Sequence, residues 1–133
     1  MKKSIFVVAL LVIGAISYAM YRTGMIFPNF ESMTPQQAYQ WIRHHPDGVV
    51  LDVRTPSEYS SGHLKGARLV PVQELSEKLP QLTSLKSKPL LVYCRSGHRS
   101  AAASKILADH GFKPLNMKGG IVRWIAEGLP VVR

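Results

Sequence analysis

Three short candidate strands, two of them continuously apolar and each followed by a segment with helical spacing, constrain the fold of this chain more than any other feature. Val49-Val50-Leu51 precedes Thr55-Pro56-Ser57-Glu58, Pro89-Leu90-Leu91-Val92-Tyr93 precedes the Ala-rich stretch from Ser100 to Ala108, and Pro114 to Met117 precedes Ile121, Trp124 and Ile125. Runs without polar alternation belong to strands buried on both faces, and strands that alternate with helices pair in parallel beneath helical layers. Ala67 to Val72 reads as a further strand, broken by Pro71. The expected architecture is therefore α/β, with functional groups at the carboxyl ends of the strands. Asp52 and Cys94 both fall at such ends.

The helix signals agree with this alternation. Thr34-Pro35 supplies an N-cap and a proline at the first helical position, and Ala38, Trp41 and Ile42 follow at helical spacing, which predicts a helix to about His45. Thr55 to Glu58 has the form of a capping box that starts a short helix ended by Gly62. A third helix is predicted from Gln73 to Leu79, with Leu75 and Leu79 on one face. The helix after Cys94 ends near Asp109-His110-Gly111, and Gly119-Gly120 opens the last one.

The N-terminus has another character. Ser4 to Tyr21 is a run of 18 uncharged residues, about the minimum for a membrane-spanning helix, with no polar face. Ser17 and Ala19 suit a cleaved secretory signal, whereas Tyr18, Met20 and Tyr21 suit an uncleaved anchor with an aromatic belt, and the anchor is the favoured reading. Lys2 and Lys3 before the run leave the N-terminus in the cytoplasm and the domain on the periplasmic side. The organisation expected is an anchor or signal over 1–22, a linker over 23–31 containing Gly24, Pro28 and Asn29, and one domain over 32–133.

The formal net charge is +9, and three of the basic residues precede Glu31, which leaves the domain at +6. The charges are scattered, without the basic run and interleaved aromatics of a nucleic-acid surface, so small anions are the expected partners and nucleic acid is not. With one cysteine, Cys94, an intramolecular disulfide and a Cys-rich zinc site are excluded. His44, His45 and His110 have no ligand-like spacing, so no metal and no cofactor is expected.

Cys94 opens the run Cys94-Arg95-Ser96-Gly97-His98-Arg99-Ser100 between a strand and a helix. Backbone N–H groups and a helix dipole favour an anion at such a turn and lower a thiol pKa, which makes Cys94 a candidate nucleophile. Arg99 and Arg95 are candidate anion-binding residues, Gly97 permits the tight curve, and His98 divides evenly between substrate contact and plain surface. Asp52 and Arg54 are expected to support the loop through charge-assisted hydrogen bonds. Glu58 reads as the capping-box acid alone, His63 as a packing residue, and Trp124 as core.

From Ser32 to Arg133 the chain resembles the single-domain rhodanese family of sulfurtransferases. The likeness rests on Leu51-Asp52-Val53-Arg54 with Glu58, on Gly62-His63-Leu64 with Gly66-Ala67, on the Cys94–Ser100 loop, and on Gly119-Gly120 with Trp124 before Gly128-Leu129-Pro130. It implies a three-layer α/β/α domain with a five-stranded parallel sheet and a reactive cysteine at the base of a cradle. Cysteine phosphatases related to this family use a cradle one residue longer, so the loop length goes with sulfur. The implied activity moves sulfane sulfur from thiosulfate or a persulfide through Cys94 to a thiol or cyanide, with Arg95, Ser96, Gly97, His98, Arg99 and Ser100 around the substrate. The alternative is a persulfide carrier or sulfur-sensing module with little turnover.

Overall fold

The computed structural model describes residues 2–22 and 29–133. Most of the expected linker, residues 23–28, lies outside them. Helix α1 (Lys2–Arg22) is long and apolar enough to cross a membrane, with a mean hydropathy of 2.2, and none of its residues is buried. Its 21 residues rise about 31 Å, close to the hydrocarbon thickness of a bilayer.

The domain is α/β, as the strand–helix alternation predicts. In chain order it contains β1 (Glu31–Met33), α2 (Pro35–His44), β2 (Val49–Asp52), α3 (Pro56–Ser61), β3 (Arg68–Leu69), α4 (Val72–Lys78), a 3-10 segment (Leu79–Ser87), β4 (Leu90–Tyr93), α5 (His98–Asp109), β5 (Pro114–Met117) and α6 (Gly120–Ala126). The five strands form one sheet in the order β1-β5-β4-β2-β3, and every pairing is parallel. Thr34 and Thr55 each close a full capping box, with proline in the first turn of α2 and α3.

Three elements depart from the sequence expectation. β1 begins at Glu31, the last residue assigned to the linker, and no strand was expected there; it is a three-residue edge strand with two exposed residues, so it carries no apolar run. β3 is two residues long rather than Ala67 to Val72. Pro71 has no N–H to donate, and pairing beyond β3 continues only through single bonds from Val70 N to Asp52 O and from Val72 N to Val53 O. The helix predicted to end at Leu79 starts at Val72 and hands over to the 3-10 segment, because Pro80 cannot donate the next α-helical bond.

The pleat sorts the core into two clusters, one on each face of the sheet. Val49, Leu51, Val53, Leu90, Val92 and Cys94 pack with Leu75, Ala103 and Leu107 beneath α4 and α5. Val50, Leu91 and Tyr93 point the other way and pack with Ala38, Ile121 and Trp124 beneath α2 and α6. Every residue of β2 and β4 is buried.

The second face also holds a polar cluster. The Tyr93 hydroxyl donates to Asp52 Oδ2 at 2.7 Å and accepts from Leu64 N at 3.1 Å. Arg54 donates from Nε to both Asp52 oxygens at 2.9 and 3.0 Å and from Nη2 to Oδ2 at 2.6 Å, and Nη2 also reaches Gly62 O at 2.7 Å. Burial and the neighbouring Asp52 carboxylate push the Tyr93 phenol far above its ordinary range, so it stays a proton donor. Burial opposes the charge on Arg54, and Asp52 more than compensates, raising its pKa.

Two substitutions test this cluster. Tyr93→Phe removes the hydroxyl but keeps the ring, and should lower stability in urea unfolding by about 1–3 kcal/mol because Asp52 and Leu64 N each lose a buried partner. Asp52→Asn leaves Arg54 without its counter-charge and should cost more, about 3–5 kcal/mol. Equal midpoints for wild type and both variants would contradict the assignment.

Candidate functional site

The loop Cys94–Ser100 leaves the carboxyl end of β4 and enters α5, as expected for a nucleophile at a strand-to-helix turn. The Cys94 side chain is 1 % exposed and packs in the cluster under α5. Gly97 N donates to Sγ at 3.1 Å. Burial alone would push the thiol up; the Ser100 hydroxyl and the backbone N–H groups of Ser100, Gly97 and Ser96 outweigh it and bring the pKa below that of an ordinary cysteine. The Ser100 hydroxyl also lies 3.2 Å from Gly97 O. Its one proton can go to that carbonyl when the sulfur is a thiol and to the sulfur when it is a thiolate.

Two glycines hold the loop in this shape. Gly97 adopts φ +104, and a Cβ there would come within 3.2 Å of Gly119 N. Gly120 at φ +60 is tighter, since a Cβ would lie 2.2 Å from Arg95 O and 2.6 Å from Cys94 O. The close approach lets the first turn of α6 donate to the loop, from Ile121 N to Cys94 O at 2.9 Å and from Val122 N to Arg95 O at 3.1 Å. With these carbonyls turned to α6, the N–H groups that follow face the sulfur. From the residues themselves Gly119-Gly120 reads as a helix start, and the family resemblance includes the pair without giving it a role; two adjacent glycines late in the chain are the signal that two backbones meet.

Arg99 reaches over the carboxyl edge of the sheet to α3. Its Nη1 and Nη2 donate to Glu58 Oε1 at 2.8 Å and Oε2 at 2.9 Å. Glu58 Oε1 also accepts from Thr55 N and Oγ1, and the Arg99 hydrogen bond leads in lowering the Glu58 pKa to about 2. Glu58 is thus the capping-box acid and also the partner of Arg99, so the arginine expected to face substrate is already paired. Arg95, Ser96 and His98 are exposed on the rim of the loop, Arg99 is half-buried, and Gly97 and Ser100 are buried.

Asp52 and Arg54 do not support the loop in the way the sequence suggested. Their hydrogen bonds run to Tyr93 and Gly62, because Asp52 and Tyr93 share one face of the sheet and Cys94 points from the other. Their support of the loop is indirect, through the end of β4. His63 stacks on Tyr59 with ring centroids 3.7 Å apart, and Trp124 is buried with Nε1 donating to Pro130 O. His44, His45 and His110 each place Nδ1 against the carbonyl four residues back.

A rhodanese-like domain profile matches residues 34–127. The chain belongs to the rhodanese family. A rhodanese-related protein from Thermoplasma volcanium superposes with a TM-score of 0.71 at 37% identity, over 77% of this chain and 98% of that one. A protein named sulfurtransferase from Allochromatium vinosum is 34% identical over 65% of this chain and 79% of its own length. A tRNA uridine(34) hydroxylase from Hamiltonella defensa is 32% identical over 71% of this chain, which spans only 30% of that enzyme.

Gly120→Ala tests whether α6 holds the rhodanese loop. Gly66→Ala is the control: it shares a positive φ but has no neighbour within 4 Å, and should cost only the backbone term of about 1–2 kcal/mol. Gly120→Ala should cost more in thermal unfolding and shift the pH midpoint for alkylation of Cys94 upward, as the N–H donors move off the sulfur. Identical alkylation profiles for the two variants would disprove the role given to Gly120.

Proposed function

We propose that this protein is a sulfurtransferase in which Cys94 carries sulfane sulfur. The observation that carries this reading is the convergence of Ser96, Gly97 and Ser100 donors on the sulfur of a residue that is 1 % exposed. Such donors stabilise a thiolate and, after transfer, the terminal sulfur of a persulfide, as an oxyanion hole does for oxygen. Family membership and the sulfurtransferase relative support sulfur transfer at the level of the family.

In the proposed cycle the Cys94 thiolate attacks the outer sulfur of thiosulfate or of a persulfide donor. A bond forms between Sγ and that sulfur, the donor's S–S bond breaks, and its electron pair leaves with sulfite or with the donor thiolate. A thiol or cyanide then attacks the terminal sulfur, and the Cys94 thiolate is released. Arg95, on the exposed rim, draws the anionic donor in, and His98 lines the approach. Arg99 is placed to act through the field of the Arg99–Glu58 pair and by holding α3 to α5. With no second cysteine in the chain, the acceptor is external.

The anchor reading of α1 and the single domain over 32–133 belong to the same proposal, with the domain on the periplasmic side. A carrier or sensor with little turnover is the second reading, and the deep burial of Cys94 favours it. Incubation with thiosulfate, followed by intact-mass measurement and a cyanide assay, separates the two: an enzyme forms thiocyanate repeatedly, whereas a carrier gains one sulfur atom and stops. Cys94→Ala should lose both signals.

The lowered thiol pKa gives a pH prediction. The reactive thiolate persists below the pH at which an ordinary cysteine protonates, and the rate falls as pH drops through the depressed value. Ser100→Ala should move that fall to higher pH and reduce turnover at neutral pH on the order of tenfold, less than the loss of a donor from a fully formed oxyanion hole. A profile that does not move would remove Ser100 from the mechanism.

A further inference from the structure

In an all-parallel sheet every strand begins at the same end of the domain, and here that end is opposite Cys94. Three segments enter neighbouring strands there, in the order β1-β5-β4. Asn29-Phe30 leads into β1 from α1, Lys113 immediately precedes β5, and Lys88-Pro89 immediately precedes β4. Neighbouring strands lie about 4.8 Å apart, so Lys113 and Lys88 enter the sheet beside the point where the N-terminal segment enters it. Lys86 joins them, its Nζ 5.4 Å from the centroid of the Phe112 ring. The three lysines border a depression of about 340 Å³ whose other lining residues are Ser87, Pro89 and Leu115.

Lys86, Lys88 and Lys113 are exposed, and no ion pair joins any of them to a described residue. The nearby carboxylate Asp109 is taken up by Lys105 Nζ at 2.8 Å and Asn29 Nδ2 at 2.7 Å. Glu31, at the start of β1, Asp47, before β2, and Glu77, in the last turn of α4, are further carboxylates toward this end, and none of them forms an ion pair with the three lysines.

Only the eight residues 23–30 separate the end of α1 from β1, so the sheet can stand at most about 28 Å from it even when the chain is fully extended. That stretch includes Met25, Ile26, Phe27 and Phe30, and Arg22 precedes it. A basic surface with an apolar floor, beside a short apolar tether, matches a bilayer surface that carries anionic headgroups. We propose that Lys86, Lys88 and Lys113 form a foot that docks on anionic phospholipid headgroups and turns the Cys94 loop away from the membrane. The inference rests on the reading of α1 as a membrane anchor. It places the acceptor of sulfur in the aqueous phase rather than in the bilayer.

The test uses the full chain reconstituted in vesicles of phosphatidylcholine alone or mixed with phosphatidylglycerol, with a nitroxide quencher on the lipid headgroups. A fluorophore is placed at Ser87→Cys or at Ser96→Cys, each in a Cys94→Ser background. Quenching is expected at position 87 in the anionic vesicles and not at position 96. It should weaken in phosphatidylcholine alone and in high salt. In the variant Lys86→Gln/Lys88→Gln/Lys113→Gln the docked-to-free ratio should fall roughly a hundredfold, since each lysine near an anionic surface contributes about fivefold. That variant should retain wild-type circular dichroism and, with Cys94 intact, wild-type thiocyanate formation; if it does not fold, the salt titration on the unsubstituted lysines decides. Equal quenching at both positions, or quenching at 87 insensitive to salt and lipid charge, overturns the foot. Flotation of the chain with vesicles after a high-salt wash reports the anchor separately. A chain that floats without quenching refutes docking alone, and one that does not float refutes the anchor and the foot together.

Discussion

The pleat at the carboxyl end of β4 sets what the rest of the domain must accommodate. Tyr93 and Cys94 are consecutive, so their side chains leave opposite faces of the sheet, one into the Asp52–Arg54 cluster and the other toward α5. Both positions are desolvated, and each solves the problem differently. On the Tyr93 side a carboxylate and a guanidinium neutralise each other and the phenol stays protonated. On the Cys94 side the negative charge is met chiefly by N–H groups and a hydroxyl, with the Arg99 guanidinium coupled to it electrostatically. Shifting β4 by one residue would exchange these environments and lose both.

The loop is held from three directions. The helix it enters supplies Ser100, the glycine-lined start of α6 takes the Cys94 and Arg95 carbonyls, and Arg99 ties the first turn of α5 to Glu58 on α3. The last contact crosses the edge of the sheet, so it links the helical layers on its two faces. Exposed ion pairs contribute little on their own, but a bidentate, half-buried one fixes geometry as well as charge.

What the sequence revealed follows from how local each signal is. The central strands β2 and β4 are buried on both faces and therefore apolar up to Asp52 and Tyr93 at their ends, and Thr34 and Thr55 carry their capping partners within four residues. The position of Cys94 at a strand end was legible for the same reason. β1 was not, because its pairing with β5 joins residues far apart in the chain and leaves no pattern in Glu31-Ser32-Met33. The Arg99–Glu58 pair and the meeting of Gly120 with Arg95 are also long-range. Glu58 was read from its local partner Thr55, which is present, and the distant one could not be inferred from spacing. The expectation that Asp52 reaches the loop overlooked the alternation that separates it from Cys94.

The depth of Cys94 has a consequence for recognition. At 1 % exposure the bare residue contributes almost nothing to the molecular surface. In the proposed cycle a persulfide would add a single atom about 2.05 Å beyond Sγ, and that outer sulfur would be the part of this side chain nearest to an acceptor. Empty and charged forms of the protein would then differ outwardly by one sulfur. An acceptor that docks by shape would tell them apart before any bond is made.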